Sequence, residues 1–194
     1  MKKSAIVIAV AAMASSLAIH SAAQAADPVF MSAEWAAEAC KGWNADPALT
    51  TKLKERKWID NNKGRGYKIV QIYRMDCPKS PRVELKLEDK DGKALCTYGG
   101  AAVTQKLDSD VDYLMFATDE HWKRMGAGQD GPMKSMMFGR LKFEGPKMEA
   151  MGVMAPFSSF LMLTGKVPSD RSSCPGGGAP VPGGKPAPYH GSDE

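Results

Sequence analysis

Apolar and polar positions alternate with a period of two through much of residues 67–118, and the longer period of a helix appears on both sides of that stretch. The cleanest alternation is Val83-Glu84-Leu85-Lys86-Leu87-Glu88, the pattern of an antiparallel sheet with one face in water. Residues 67–75 are rich in β-formers, and Asp91-Gly92 supplies hairpin-turn chemistry ahead of 93–98. Two further strands are predicted at 101–107 and 111–118. The expectation is a meander of antiparallel strands with helices before and after it, an α+β domain. No internal repeat is visible.

Helix boundaries are readable. Ser32 is placed to cap a helix running to about Gly42, with Glu34 in its first turn, and Asp46-Pro47 marks a second start. Leu49 and Leu53 share a face there, while Lys52, Lys54, Glu55, Arg56 and Lys57 form the solvated remainder. Thr118 precedes Asp119 and Glu120, which suit a helix N-terminus, and Gly126 ends that segment. A second short helix is expected from Pro132 to Gly139, carrying Met133, Met136 and Met137. In the strand that follows, 140–144, Leu141 and Phe143 point one way and Arg140, Lys142 and Glu144 the other. From Lys147 a helical pattern returns, with Met148, Met151 and Met154 drifting around one face and Val153, Phe157, Phe160 and Leu161 widening the apolar surface. Pro156 is expected to kink or restart this element.

The ends of the chain differ from its middle. Lys2 and Lys3 precede an apolar run at 5–19 and then Ala23-Gln24-Ala25, the small-x-small pattern of a signal-peptidase site. The run is short against the ~20 residues that span a bilayer. Residues 1–25 are therefore expected to be a cleaved signal peptide, with a mature start near Ala26 and a periplasmic or secreted location. Residues 26–44 form an N-terminal helical segment and 45–168 the main domain. The Gly/Pro-rich 169–194 cannot bury enough apolar surface to offset the entropy of ordering and is expected to be disordered.

An exported chain meets an oxidising compartment, so the four cysteines, Cys40, Cys77, Cys96 and Cys174, are expected to form two disulfides. The placement of Cys77 and Cys96 in the strand region favours that pair, with Cys40 to Cys174 as a staple from the first helix to the tail. None are spaced C-x-x-C, so neither a redox pair nor a zinc knuckle is signalled.

The net charge is +4, and Lys2 and Lys3 leave with an acid-free leader, so the remainder carries +2, too little for a nucleic-acid footprint. Of three histidines, His20 lies in the leader and His190 in the tail, leaving His121 as the one realistic general base. No G-x-S-x-G, H-E-x-x-H or phosphate-binding glycine loop occurs. The expectation is a non-catalytic protein without a cofactor. Thioethers select Cu(I), which makes Met148, Met151 and Met154, with His121 and Met125 at i, i+4, candidates for periplasmic copper binding. Their alternation with Phe143, Phe157 and Phe160 reads as a wall rather than a cage. An interaction subunit using the apolar C-terminal helix is a further alternative.

Methionine is unusually dense after residue 112. Its flexible, polarizable side chain fits a surface that adapts to varied apolar guests, whereas cores gain uniqueness from leucine, isoleucine and valine. The order of elements here, Asp112-Tyr113-Leu114-Met115-Phe116-Ala117, two short helices, Gly139-Arg140-Leu141-Lys142-Phe143-Glu144-Gly145 and an apolar C-terminal helix, resembles the sterol carrier protein 2 (SCP-2) lipid-binding domain. In that family a G-K-L-K-I-x-G run occupies the place of 139–145. The resemblance spans about 45–165. It implies a five-stranded, mostly antiparallel sheet with helices on one face and an apolar tunnel between them, binding sterols, fatty acids, acyl-CoA or phospholipids. By resemblance the tunnel wall is Leu114, Phe116, Trp122, Met125, Met136, Met137, Leu141, Phe143, Met148, Met151, Met154 and Phe157. A lipid-sized cavity of about 300 to 1,000 Å³ is the corresponding expectation. Outside the cytoplasm acyl-CoA is not an expected guest, which leaves a sterol-like lipid, fatty acid or phospholipid as partner, with transient membrane contact.

Overall fold

The computed structural model describes residues 26–181. The expected signal peptide, 1–25, and the last part of the expected tail, 182–194, lie outside them. Five strands form one sheet in the order β3-β2-β1-β4-β5: β1 (Tyr67–Arg74), β2 (Val83–Lys90), β3 (Lys93–Ala101), β4 (Tyr113–Ala117) and β5 (Lys142–Glu144). The α+β class and the mostly antiparallel sheet are as expected.

The strand connectivity differs from the expected meander. Residues 102–112 make no strand; they leave β3 and cross behind the sheet, so that β4 takes the free edge of β1 in parallel. Polar groups on the rear face hold this crossover. Thr104 donates to Glu84 from its backbone N–H (2.9 Å) and its hydroxyl (3.0 Å), while the Gln71 amide donates to the Thr104 carbonyl (2.7 Å). Glu84 and Gln71 are buried and oppose each other in the β1–β2 ladder. Each needs a partner because an unpaired buried polar group is costly.

The front face carries the core: Val70, Ile72, Val83, Leu85, Leu87, Tyr113, Met115 and Ala117. Helix α1 (Ala33–Ala45) is capped by the Ser32 hydroxyl, which accepts from the Trp35 N–H at 3.2 Å, and buries Trp35, Ala36, Ala39, Cys40 and Trp43. It lies so close on β3 that a Cβ at Gly99 would stand 2.2 Å from the Ala36 carbonyl oxygen. A π-helical turn, Ala48–Lys52, runs into α2 (Leu53–Glu55) and supplies Leu49 and Leu53 to the same core.

Helices α3 (Asp119–Gly126), α4 (Pro132–Met137), α5 (Lys147–Gly152) and α6 (Met154–Lys166) complete the front layer. Of the two effects expected of Pro156, a kink or a restart, the structure shows a restart. The break falls at Val153, and Pro156 sits in the first turn of α6, where its missing N–H has no intrahelical acceptor to lose. Helix α3 packs on α6 through two glycines, Gly126 and Gly165, where any added Cβ would meet backbone at under 3 Å.

The disulfides join Cys40 to Cys96 and Cys77 to Cys174, which corrects the expected pairing. Cys96 opposes Leu87, which in turn opposes Lys68 near the start of β1. Cys77 lies beyond the far end of β1, nine residues from Lys68, roughly 30 Å along the strand direction. Helix α1 crosses β3 and brings Cys40 over Cys96 instead. The chain after α6 returns to Cys77: Asp170 bridges Val29, and the Val181 N–H donates to the Asp76 carbonyl at 2.9 Å.

Candidate functional site

An apolar cavity of about 40 Å³ lies between the sheet and α6. Val70, Tyr113, Met115 and Phe143 come from the sheet, Val153, Pro156, Phe157 and Phe160 from the start of α6, and Trp43, Leu49, Leu53 and Trp58 from the N-terminal layer. Tyr113 is the one ionisable side chain in this lining. The expected volume of several hundred Å³ is not present in this closed arrangement, because a chain of aromatic rings fills the interior. Phe143, Phe157 and Phe160 stand 5.9 and 6.3 Å apart, centroid to centroid, and Phe160 meets Trp43 at 6.0 Å.

A second depression of about 410 Å³ opens to the surface beside it, lined by Met133, Met136, Met137, Gly139, Leu141, Lys142, Phe143, Lys147 and Met151. Phe143 belongs to both linings, so its ring is a wall shared by the outer methionine groove and the inner aromatic cavity.

The residues expected to form one wall therefore divide. Phe143 and Phe157 line the inner cavity, and Met136, Met137, Leu141 and Met151 line the groove together with Phe143. Trp122 and Met125 are buried on α3 in the core and line neither space. Met154 packs against the core from a half-buried position, and Met148 is 79% exposed. Leu114 and Phe116 are corrected outright: they alternate with Tyr113 and Met115 and so face the rear of the sheet, where Phe116 stacks on Tyr73 at 4.7 Å. A single residue of parity on β4 decides inside from outside.

A polar cluster adjoins the cavity at Trp58 and Tyr113. Lys68 is on the front face, its side chain fully buried, and its Nζ lies 2.6 Å from Oε2 of Glu149 on α5. Tyr113 donates its hydroxyl proton to the same oxygen, and the Trp58 indole N–H donates to the Tyr113 oxygen at 2.8 Å. Lys68 also donates to the Trp58 carbonyl at 3.2 Å and lies over the Trp58 and Tyr113 rings. Burial pulls the Lys68 ammonium below the ordinary lysine value, against the opposing hydrogen bond from Glu149. Burial, then the Glu149 hydrogen bond, pushes the Tyr113 phenol far above its usual value, so it remains a proton donor.

Sequence reasoning missed Lys68, Glu149, Trp43, Trp58, Tyr113 and Met115 as site residues. A signal for Lys68 was present: it shares parity with Val70 and Ile72, the inward residues of its strand. Among the described residues no group of three or more His, Cys, Asp or Glu side chains is placed to hold a metal ion, and no helix is long and apolar enough to cross a membrane. Met148, Met151 and Met154, the candidate copper ligands, differ in environment, from strongly exposed Met148 to half-buried Met154.

A family model described as the SCP-2 sterol transfer family matches residues 50–158. Among solved structures, a crystal structure of sterol carrier protein 2 shares 15% identity, covering 71% of this chain and 98% of that one, with a TM-score of 0.43. A solution structure of a conserved hypothetical protein from Thermus thermophilus, described as possibly a sterol carrier protein, shares 15% identity over 75% of this chain and 96% of its own, at 0.42. The apo form of sterol carrier protein 2 from Yarrowia lipolytica shares 17% over 64% and 88%, at 0.36. No curated protein sequence matches the chain.

Proposed function

Because this chain belongs to the SCP-2 sterol transfer family, we propose that it is an exported, non-catalytic carrier that holds the apolar part of a membrane-derived lipid between α6 and the sheet. The observation that carries this reading is the pair of adjoining apolar spaces, the aromatic cavity and the methionine groove, which share Phe143 as a wall. An interior of about 40 Å³ is far below the about 300 Å³ of a small ligand site, so a guest enters by displacing the aromatic chain and the short elements beside it. Methionines suit the groove because they repack around guests of different shape. A sterol-like lipid, a fatty acid and a phospholipid all share the apolar part that this route accepts.

Export to the periplasm or the medium belongs to the same proposal. It is supported by the leader-like pattern at 1–25 and by the pairing of all four cysteines, which is favoured in an oxidising compartment. The test is organic-solvent extraction of protein purified from its own host, with mass spectrometry of the extract and a metal assay in parallel. A stoichiometric lipid without copper is the expected result. Stoichiometric copper without lipid overturns the carrier reading.

A further inference from the structure

The groups around Lys68 are more elaborate than a structural ion pair requires. A buried ion pair is seldom better for stability than well-packed apolar residues of similar volume. Here an ammonium and a phenol converge on one carboxylate oxygen, and the indole of Trp58 orients the phenol toward it. The rings that flank the ammonium, Trp58 and Tyr113, are also walls of the apolar cavity. A chain lying in the cavity thus reaches these rings at the point where the polar groups begin.

Resting on the carrier reading above, we propose that Lys68 and Tyr113 form the headgroup site for a long-chain monocarboxylate, and that Glu149 fills this site in the closed protein as an internal stand-in. The site is complementary in both charge and size. Lys68 offers one desolvated cation, and beside Glu149 it touches the Trp58 carbonyl and two aromatic faces, which match a single carboxylate rather than a larger doubly charged group. Arg65, the neighbouring cation, is already committed to Asp112 at 2.6 Å.

Glu149 is the displaceable member of the cluster. Its side chain is 17% exposed while that of Lys68 is fully buried. It rides on α5, a six-residue helix that follows Gly145-Pro146 and ends at Gly152, and whose one buried residue is Ala150. So short a helix has little intrinsic stability and depends on what its side chains hold. When a ligand carboxylate takes the place of the Glu149 carboxylate, α5 loses its polar tie to the sheet, and the cavity gains a way out toward Met151 and the groove. Binding and opening are then one exchange of carboxylates, and the ammonium is never left without a partner.

The test compares oleate with oleyl alcohol, ligands that share a chain and differ in the head, using titration calorimetry on the full chain. In the wild type, where the ligand carboxylate replaces that of Glu149 on the same ammonium, oleate is expected to bind about threefold more tightly, below the full range of a charge-assisted hydrogen bond. Glu149→Gln removes the internal competitor and should widen that ratio by a further several-fold. Lys68→Met combined with Glu149→Gln leaves no buried charge unpaired and should bring the two affinities together. Equal affinities in the wild type, or a preference that survives in the double variant, overturns the headgroup site while leaving a lipid carrier standing. If neither ligand binds to any of the three proteins, the headgroup site falls, and the carrier reading falls with it only where cholesterol and phosphatidylcholine also fail to bind.

Discussion

Met115 and Met148 have the same side chain in opposite circumstances. Met115 points from β4 into the cavity lining and is buried, whereas Met148 on α5 is 79% exposed. Truncating a buried methionine removes transfer energy and leaves a void that close-packed neighbours fill only in part. Met115→Ala should therefore cost about 2 to 5 kcal/mol in urea unfolding, and Met148→Ala less than about 0.5 kcal/mol. Equal losses at both would overturn the division of the methionines into floor and surface. The sequence showed that these methionines exceed what a core needs, but not which of them face inward. On the last helices the apolar residues surround the cylinder, so no stripe marks the buried side. On β4 every residue from Tyr113 to Phe116 is apolar or aromatic, and alternation, the signal that fixed the faces of Val83 to Glu88, is absent. Leu114 and Phe116 were misplaced for that reason. Lys68 was overlooked because a lone charge in a strand ordinarily marks the wet face.

Among elements, α3, α4 and the approach to β5 are tied by one carboxylate. Asp130, its side chain buried, accepts from Arg124 at 2.6 Å and Arg140 at 2.7 Å and pairs with Lys134 at 2.7 Å. Arg124 and then Lys134 hold its carboxyl well below the usual range. A carboxyl with a depressed folded-state pKa stabilises the fold fully above its unfolded value, about 3.9, and loses that contribution as pH falls through the folded value. The melting-temperature gap between wild type and Asp130→Asn should therefore be widest above about pH 5 and close progressively below about pH 4. A gap that widens on acidification would contradict this linkage. The short helices around Asp130 were legible in advance from their starts at Thr118 and Pro132 and their glycine stops. The crossover at 102–112 was not, because its β-formers match a strand locally. Its conformation is decided by Glu84 and Gln71, buried polar groups on two other strands that recruit Thr104.

For the whole molecule, the two disulfides define what stays together. Cys40–Cys96 fixes α1 to the β3 edge, and Cys77–Cys174 closes 97 residues and holds the returning chain beside Asp76. Peptide mapping without reduction should recover these two pairs and no others. Recovery of Cys77 with Cys96 would invalidate the packing of α1. In the chain-entropy account a loop of this length is worth about 4.7 kcal/mol, so Cys77→Ser with Cys174→Ser should lower the melting temperature far more than any exposed-methionine variant. Sequence separation alone could not find these pairs, since they depend on where α1 crosses the sheet.

No half-cystine lies within residues 132–152, which the Cys77–Cys174 loop encloses without anchoring, and the sheet's last strand there, β5, is three residues long. In native-state hydrogen exchange the amides of α4, β5 and α5 should open with a smaller free energy than those of β1, β2 and α1. A bound guest should slow the first group and reduction of the bridges should quicken the second. The cross-links thus divide the amides into two clocks, one set by occupancy and the other by redox state.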